Sequence, residues 1–412
     1  MPAASVDRTL LIVTQAYPPD PTAVGQYLAD VGEVLAGRGW QVRVLTADRG
    51  YDDPAVRYPA HEPRNGVDVR RLAFSSTGKR SLMARIVGQM AFVAQVIAFG
   101  LFMCPRHSWL LVSTSPPMAA LVALMLHHLK GVRYLLWVMD VNPEQAVVAG
   151  LTRQGSVLCR LLAWLNRQAI AAAERIVTLD ENMTDRLQAR GYPFEFQVEE
   201  VPLWPLREVQ EVPEDQNPFV AAHRLGGKTL VLYSGNHSLV HPLDTLLAAA
   251  REMQDETRLV FGFIGGGKGK AAVEDFVRNE RLPNCLLLPY QPLETLSASL
   301  SAGSIHVVSM GRDMVGLVHP SKCYGAMALR RPLLLLGPAV CHFGRLVRET
   351  GLGWQVEHGD VAGLVSVLRE ALRNPEEIRR RGEISRQTLA TRFAREKGLE
   401  RFCRSLEADR NS

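Results

Sequence analysis

Two series of short apolar runs, each alternating with helical stretches, constrain the fold of this chain more than any other feature. The first series opens with the run at 9–14 and the second with the run at 229–234. In both, a loop that contains glycine and then a helical stretch follow the opening run. Short apolar runs separated by helices are typical of buried parallel strands joined by crossovers. The sequence therefore predicts an α/β protein with two domains, each built on a doubly wound parallel sheet.

A segment rich in proline and charge interrupts this alternation and sets the domain boundaries. We predict a first domain over 1–205, a linker over 206–228 and a second domain over 229–390. A charged helical segment over 391–412 is expected to pack back on the first domain. Within the second domain and this segment, the sequence predicts one long last helix over 376–407.

Composition excludes several classes of protein. With 47% hydrophobic and 22% charged residues, the 412-residue chain is globular rather than disordered. Its six cysteines form no C-x-x-C pair, so the sequence predicts neither a disulfide framework nor a zinc site, and it fits a reducing, cytoplasmic compartment. The apolar run within the first twenty residues is too short for a signal peptide, and we expect the chain not to be secreted.

A basic block over 69–139 predicts an anionic partner. The chain has a net charge of +5, yet this block alone holds eight basic residues and no aspartate or glutamate. The eight are Arg70, Arg71, Lys79, Arg80, Arg85, Arg106, Lys130 and Arg133. Because the aromatic residues of the block lie within apolar runs, it favours a membrane surface over nucleic acid.

The uncharged run at 86–105 inside this block leaves three interpretations open. It is long enough for a helix that spans a bilayer, and it also fits a helix in the membrane plane or an ordinary buried helix. A single span would place strands of one sheet on opposite sides of the membrane, which argues against the first interpretation.

Glycine loops after the opening strands are candidate phosphate sites, because open α/β sheets bind ligands at the carboxyl ends of their strands. In the first domain, Gly25 lies where a helix begins and free backbone N–H groups can meet a phosphate. A plain connecting loop is the alternative. In the second domain, Gly235, Asn236, His237 and His241 follow the opening strand, and two such loops can hold a diphosphate without a metal. The alternative is that His237 caps the turn and His241 packs under the helix.

A third candidate segment enters a helix with Ser321, Lys322 and Tyr324. A lysine in the first turn of a helix opposes the helix dipole unless an anion lies beside it. This makes Lys322 a candidate anion ligand, with a solvated lysine as the alternative.

Two further candidates follow other predicted strands. Gly265 and Gly266 belong to a triple glycine that lets a nucleotide base or phosphate approach bare backbone. Asp140 and Glu144 follow a buried strand of the first domain, where they either contact substrate or cap a helix.

Together these segments resemble the family 4 glycosyltransferases with the GT-B fold. The segment at 10–46 is similar to that family's first strand, glycine loop and helix. VMDVNPEQAVVAG is similar to the H-D-x-x-P-E segment of the branch that builds bacterial exopolysaccharides and O-antigens. YSGNHSLVHPLDTLLAAA and HPSKCYGAMALRRPLLLLGP resemble second-domain signatures of that branch, which includes enzymes of colanic-acid synthesis.

The resemblance implies two Rossmann-like domains facing across a cleft, and retaining transfer of a hexosyl or N-acetylhexosaminyl group from a nucleotide-diphospho-sugar. UDP is the expected nucleotide. The donor diphosphate would be held at Gly235, Asn236 and Lys322, with Gly25 contributing from the first domain and a base pocket at 265–266. The donor-binding set also includes His237, His241, Ser321 and Tyr324.

The implied acceptor is a polyprenyl-diphosphate-linked saccharide at the cytoplasmic face of the membrane, to which we expect the chain to attach peripherally. Lys322 would stabilise the leaving group, and Asp140 would orient the acceptor or the sugar. No metal or other cofactor is expected, because Lys322, His237, His241 and helix starts would supply the positive potential.

The chain departs from the family pattern in ways that leave alternatives open. The family's pair of glutamates would fall at Leu317 and Gly325, so the carboxylate that holds the donor ribose has no counterpart. Met139 replaces the histidine before Asp140. The alternatives are a non-catalytic GT-B scaffold of a polysaccharide-assembly complex, and a nucleotide-sugar epimerase. An epimerase would need paired acid and base carboxylates, for which Asp140 and Glu144 are the candidates.

Overall fold

The computed structural model describes residues 8–50, 53–73, 82–114, 118–148, 150, 152–192, 198–206, 209–238 and 240–408. The chain divides into two compact units. The first comprises Met1–Pro202, Gly316–His319 and Glu396–Ser412, and the second comprises Leu203–Val315 and Pro320–Arg395.

The first unit is built on one sheet, to which the described residues contribute eight strands. In chain order these are β1 (Thr9–Val13), β2 (Gln41–Ala47), β3 (His61–Arg64), β4 (Val67–Leu72), β5 (Trp109–Ser113), β6 (Arg133–Trp137), β7 (Arg175–Thr178) and β8 (Val198–Glu200). Their order in the sheet is β3-β4-β2-β1-β5-β6-β7-β8, and all pairs except β3 with β4 are parallel. The central strand β1 is fully buried, with Ile12 opposite Val44 and Leu111.

The helices of the first unit cover both faces of this sheet. They are α1 (Ala23–Gly37), α2 (Leu82–Met103), α3 (Ala119–Lys130), α4 (Glu144–Val148), α5 (Val157–Ala172), α6 (Glu181–Gln188) and, near the end of the chain, α15 (Arg395–Glu407). Right-handed crossovers from β4 to β5, β5 to β6 and β6 to β7 run in one direction along the sheet, so α2, α3 and α5 share a face. On the other face, the Trp137 ring packs against Tyr27 of α1 and Phe402 of α15.

The uncharged run at 86–105 lies in α2 and in the turn after it. Phe92, Val93 and Val96 are buried, whereas Val87 and Phe102 are 61% and 89% exposed. Among the described residues, no helix meets the length and apolarity needed to cross a bilayer. Of the basic residues in the 69–139 block, Lys79, Arg80 and the side chain of Arg85 lie outside the described part of the chain.

The second unit is built on a parallel sheet of six strands within the described residues. These are β9 (Thr229–Ser234), β10 (Leu259–Ile264), β11 (Cys285–Leu288), β12 (Ile305–Ser309), β13 (Leu333–Leu336) and β14 (Gly353–Val356), in the sheet order β11-β10-β9-β12-β13-β14. Its helices are α7 (Pro218–Ala222), α8 (Asp244–Glu252), α9 (Lys270–Asn279), α10 (Leu293–Ala302), α11 (Lys322–Ala328), α12 (His342–Thr350), α13 (Val361–Arg373) and α14 (Pro375–Arg392). Tyr233, Phe261 and Phe263 lie in the main apolar core, which the strands share with α8, α9 and α13.

The structure corrects the sequence-based linker over 206–228. The later part of this segment forms α7, and Phe219, Val220 and Leu225 are buried in an apolar cluster of the second unit. The Asn217 side chain caps α7 and also donates a hydrogen bond to the Ala298 carbonyl. Prolines and charges resembled a linker because they occupy the exposed side of a packed segment.

The single last helix predicted over 376–407 is also wrong. The helix is interrupted between α14 and α15, where the Phe393 ring packs 5.3 Å from that of Tyr324. The two helices belong to different units. In the first unit, Arg38 of α1 pairs with Glu400 and Glu407 of α15.

Candidate functional site

Two glycine loops leave the carboxyl ends of β9 and β10 side by side. Gly235 and Gly265 directly follow these strands and adopt φ angles of +134° and +129°. The Gly235 N–H donates to the Ile264 carbonyl at 2.9 Å, and the Gly265 N–H donates to the Leu288 carbonyl at 3.0 Å. Side chains strongly disfavour this backbone region, so glycine is needed where each loop turns away from the sheet.

The two loops touch without room for a side chain between them. A Cβ atom on Gly265 would lie 2.0 Å from the Gly235 carbonyl oxygen, and one on Gly267 would lie 2.1 Å from Asn236 Oδ1. The His237 N–H donates to the Gly266 carbonyl at 2.7 Å. The sequence-predicted glycines at 235, 265 and 266 therefore form one interlocked backbone surface.

Lys322, the first residue of α11, lies against this surface. Its Nζ donates to the Tyr233 hydroxyl at 2.9 Å and lies 4.1 Å from the centre of the Tyr233 ring. The Tyr233 hydroxyl in turn donates to the Asn236 carbonyl at 2.6 Å. A Cβ atom on Gly235 would come within 2.6 Å of Lys322 Cε. The structure thus brings Gly235, Asn236 and Lys322 together, and Tyr233 is a member of the group that the sequence did not single out.

The Lys322 ammonium is desolvated. Burial lowers its pKa to about 8, so the cation is still the main form at pH 7. It forms no ion pair with any described residue, and its two close partners are the neutral hydroxyl and ring of Tyr233. A desolvated cation beside bare backbone is suited to an anion.

Both candidate histidines are neutral at pH 7, which corrects the expectation that they add positive potential. Burial and then the charge of Lys270 lower the pKa of His237 to about 4. Burial and then the charge of Lys322 lower the pKa of His241 to about 4. His237 Nδ1 lies 3.1 Å from the Gly235 carbonyl oxygen and His241 Nδ1 lies 2.7 Å from the Ser309 carbonyl oxygen, so both rings fix loop backbone.

Tyr324 does not belong to a binding surface. It is 1% exposed, and its ring packs 5.8 Å from that of Phe343 and 5.3 Å from that of Phe393. Ser321 precedes α11, and its side chain caps no described N–H group of that helix. Of the three residues predicted in this segment, Lys322 therefore belongs to the candidate site and Tyr324 belongs to the apolar core.

An exposed aromatic ring lies beside the triple glycine. Tyr290 is 56% exposed, and a Cβ atom on Gly266 would lie 3.0 Å from its Cε2 atom. Tyr290 could not be identified from the sequence, because only the fold brings the segment after β11 next to the loop after β10.

Gly25 in the first unit has a packing role. It lies in the first turn of α1, and a Cβ atom there would come within 2.7 Å of the Ala16 carbonyl oxygen. The absence of a side chain lets α1 approach the loop after β1. This contact accounts for a glycine at this position without a ligand.

Asp140 follows β6 in the first unit. Its N–H and that of Met139 both donate to Thr114 Oγ1 at 3.0 Å, and a backbone bridge joins Asp140 to Val318. Burial raises the pKa of the Asp140 carboxyl to about 6.

Glu144, the second carboxylate of that segment, is 6% exposed and pairs with Arg190. Because Arg190 engages it, Glu144 is a poor partner for Asp140 in acid and base chemistry, and the epimerase alternative loses its carboxylate pair.

The segment Gly316–His319 belongs to the first unit, which the sequence did not predict. His319 Nδ1 lies 2.6 Å from Asp180 Oδ2 in a buried pair, while Asp180 Oδ1 accepts from the Met183 N–H and caps α6. The Val141 N–H donates to the Leu317 carbonyl at 2.9 Å, and the Leu317 side chain is fully buried. Leu317, at the position of the first family glutamate, is therefore a packing residue.

Gly325, at the position of the second family glutamate, faces open space. An added Cβ atom would meet no described atom within 4 Å. Among the described residues, no group of three or more histidine, cysteine, aspartate or glutamate side chains is placed to hold a metal ion.

Comparison with known sequences gives a consistent set of relatives. Residues 22–204 match the model of the glycosyl transferase 4-like domain. The chain is 27% identical over 347 residues to the probable glycosyltransferase WbjE of Pseudomonas aeruginosa, covering 82% of this chain and 83% of that protein. It is 26% identical over 398 residues to the putative colanic acid biosynthesis glycosyl transferase WcaI of Escherichia coli K12, covering 92% and 96%.

Solved structures share the fold over nearly the whole chain. Sucrose-phosphate synthase from Thermosynechococcus elongatus superposes with a TM-score of 0.75 at 17% identity, covering 96% of this chain and 98% of that one. Anabaena HepE in complex with UDP-glucose superposes with a TM-score of 0.70 at 12% identity, covering 97% and 99%. At these identities the likeness establishes the fold.

Proposed function

The chain is a glycosyltransferase with the GT-B fold whose residues 22–204 form a glycosyl transferase 4-like domain, and from this premise we propose its reaction. It transfers a sugar from a UDP-sugar to a lipid-linked saccharide, with retention of anomeric configuration, in the synthesis of a bacterial surface polysaccharide. The name of WcaI supports the pathway class, and the UDP-glucose complex of HepE supports the donor class.

The observation that carries this proposal is the Lys322 ammonium held against two glycine loops. A donor diphosphate there supplies the anion that the described residues do not provide to Lys322. Gly266 is half-buried and Gly267 is exposed, so the loop after β10 presents backbone to a ligand with no side chain in between. Backbone N–H groups that face a ligand bind anionic oxygens well.

Most of the rate enhancement is proposed to come from stabilisation of the leaving diphosphate. As the bond between the anomeric carbon and the diphosphate breaks, negative charge grows on the departing oxygen. Lys322 is already desolvated and positioned, so it stabilises that charge without reorganisation. Its pKa of about 8 keeps it protonated at neutral pH. No metal is required in this proposal.

Asp140 is proposed to orient the incoming hydroxyl of the acceptor. With a pKa of about 6, its carboxyl is ionised at pH 7 and accepts a hydrogen bond from a substrate O–H. Thr114 fixes the backbone of this turn through two hydrogen bonds. Tyr290, exposed beside Gly266, is proposed to stack on the nucleotide base.

The lipid-linked acceptor places the chain at the cytoplasmic face of a membrane. The acid-free 69–139 block supports this placement, and so do the exposed apolar side chains of α2. We propose peripheral attachment, in which Val87, Met90 and Phe102 contact lipid. Their exposed fractions are 61%, 50% and 89%.

The test is an assay of sugar transfer from a panel of UDP-sugars to polyprenyl-diphosphate saccharides. The release of UDP measures turnover, and NMR of the new glycosidic bond gives its anomeric configuration. We expect one donor to be used, the anomeric configuration to be retained and activity to persist in EDTA. A product with inverted anomeric configuration would exclude a retaining reaction. A strict need for a divalent metal would show that Lys322 alone does not stabilise the leaving diphosphate. Absence of UDP release with every donor and acceptor would overturn the proposed reaction.

A further inference from the structure

We propose that the outer face of α5 is a second membrane-docking surface that inserts into anionic lipid. We call this surface the α5 patch, and it consists of Val157, Leu158, Leu161 and Trp164. The inference rests on the membrane location in the proposed function, but it concerns a helix outside the 69–139 block. The sequence alone does not indicate a membrane contact for this helix.

The α5 patch is a large apolar surface on an ordered helix. The exposed fractions of its four residues are 74%, 55%, 56% and 58%, in the order given above. The inner face of the same helix is satisfied, because Leu165 and Ala169 are buried in a cluster with Ala120 and Leu124 of α3. The Ser156 side chain caps the helix by accepting from the Cys159 N–H. The exposure therefore belongs to a fixed, packed helix and calls for an external partner.

The charges around the α5 patch select an anionic partner. Arg153, Arg160 and Arg167 are exposed. The helical repeat puts Arg160 about one turn before Trp164 and Arg167 about one turn after it. From Gln145 to Ala173 the sequence contains no aspartate or glutamate. An amphipathic helix with tryptophan and leucine on its apolar face, flanked only by arginines, fits a bilayer surface with anionic headgroups.

Continuity with α2 supports the lipid surface over a small protein partner. The helices α2 and α5 lie on the same face of the first sheet, and α3 contacts both. Over 69–173 the sequence has only two acidic residues, Asp140 and Glu144, and Glu144 is buried against Arg190. One face of the first unit thus presents exposed apolar side chains on both α2 and α5, with exposed arginines on α5, as a broad planar partner requires.

Trp164 of the α5 patch can serve as a fluorescent probe of membrane insertion. Trp164 is 58% exposed, whereas the other five tryptophans of the sequence are at most 9% exposed. Lipids brominated on their acyl chains quench a tryptophan only when it reaches those chains. With vesicles of phosphatidylcholine and phosphatidylglycerol, we expect quenching and a blue shift of the emission from the full-length protein. The variant Trp164→Phe should remain bound and lose the quenchable component.

Variants then separate the α5 patch from α2. We expect the combined change Leu158→Ser, Leu161→Ser and Trp164→Ser to lower the vesicle partition coefficient at least roughly tenfold, because three apolar side chains that would enter the lipid are lost. The control Val340→Ser removes a side chain that is 60% exposed in the second unit and should leave binding unchanged. Changing Arg153, Arg160 and Arg167 to Gln should weaken binding to anionic vesicles and leave weak binding to neutral vesicles unchanged.

Four outcomes overturn the inference. If bound protein is not quenched by brominated lipid, or if only the α2 change Phe102→Ser weakens binding, the α5 patch does not enter the membrane and the proposed attachment through α2 stands. If wild-type protein does not bind anionic vesicles, both attachments fail, while the donor site is still judged by UDP binding. If the protein forms dimers without lipid and the patch variant is monomeric with unchanged vesicle binding, the patch is an interface between copies of the chain.

Discussion

Gly25 and Gly235 both follow the opening strand of their unit's sheet, Gly25 in the first turn of α1 and Gly235 directly after β9, yet they have different roles. A Cβ atom on Gly25 would meet the Ala16 carbonyl oxygen at 2.7 Å, within the fold of its own unit. A Cβ atom on Gly235 would instead meet the Lys322 side chain at 2.6 Å, and its φ of +134° turns the loop toward Gly265. The first glycine permits helix packing and the second shapes a surface around a cation. A glycine after a first strand is thus not by itself evidence of a phosphate site.

The largest effect that should follow from this comparison is the loss of turnover in Gly235→Ala. The new methyl group must displace the Lys322 side chain, and we expect turnover to fall on the order of 10²-fold, as when a positioned donor is lost. The matched control is Gly351→Ala, which strains a glycine at φ +72° where an added Cβ atom meets no described atom within 4 Å. Equal turnover in the two variants would remove Gly235 from the site.

Gly25→Ala should act on stability. Displacing α1 from the Ala16 carbonyl should lower the free energy of unfolding by about 1–3 kcal/mol. UDP affinity of the folded protein should not change. Chemical denaturation and UDP titration measure the two quantities. Gly37→Ala in the same helix, where an added Cβ atom meets no described atom within 4 Å, serves as the control and should not destabilise. Unchanged stability with lost UDP affinity in Gly25→Ala would restore a ligand role for Gly25.

The pH dependence of kcat/KM should report one group from each unit. Ionised Asp140 is required, and its pKa of about 6 makes activity fall as the pH drops below 6. Protonated Lys322 is required, and its pKa of about 8 makes activity fall as the pH rises above 8. Each limb should approach about tenfold per pH unit. Asp140→Asn should lose the acidic limb and retain the basic one. A profile that is flat from pH 5 to 9 would contradict both assignments.

The smallest effect is expected for Gly325→Ala. Gly325 lies inside α11, where an added Cβ atom meets no described atom within 4 Å, so alanine should stabilise the free protein by about 0.5–1 kcal/mol. Gly382→Ala in α14 is the contrasting variant, because its Cβ atom would lie 2.2 Å from the Arg330 carbonyl oxygen. Thermal unfolding distinguishes the two. A destabilised Gly325→Ala would show that the helix cannot accept a side chain there.

The sequence predicted two alternating α/β units because most of their strands are short apolar runs, whereas the polar edge strands β3 and β8 contain no such run and were not predicted. The resemblance to the family implied the grouping of Gly235, Asn236 and Lys322. The sequence did not predict that Gly316–His319 packs in the first unit, since the His319–Asp180 pair joins residues far apart in the chain. The prediction that Tyr324 lies in the site was wrong. Whether a helical side chain faces the core depends on packing partners that are distant in the sequence, such as Phe393.

The charge state of the site could not be predicted from the sequence either. The pKa values of His237 and His241 are lowered chiefly by burial, and burial at a loop cannot be read from residue types. The exposed leucines of α5 posed the converse difficulty, because an apolar helix in a sequence does not reveal which of its faces is covered.

Lys322 and the glycine loops should bind a diphosphate, and calorimetric titration of UDP and uridine into matched variants measures this binding. We expect UDP to bind wild-type protein and Lys228→Ala equally, since Lys228 is exposed just before the amino end of β9. Lys322→Ala should weaken UDP at least roughly tenfold, as expected for a lost hydrogen bond to a charged group, and leave uridine unchanged. Equal UDP affinity in Lys322→Ala and wild-type protein would show that Lys322 does not bind the diphosphate.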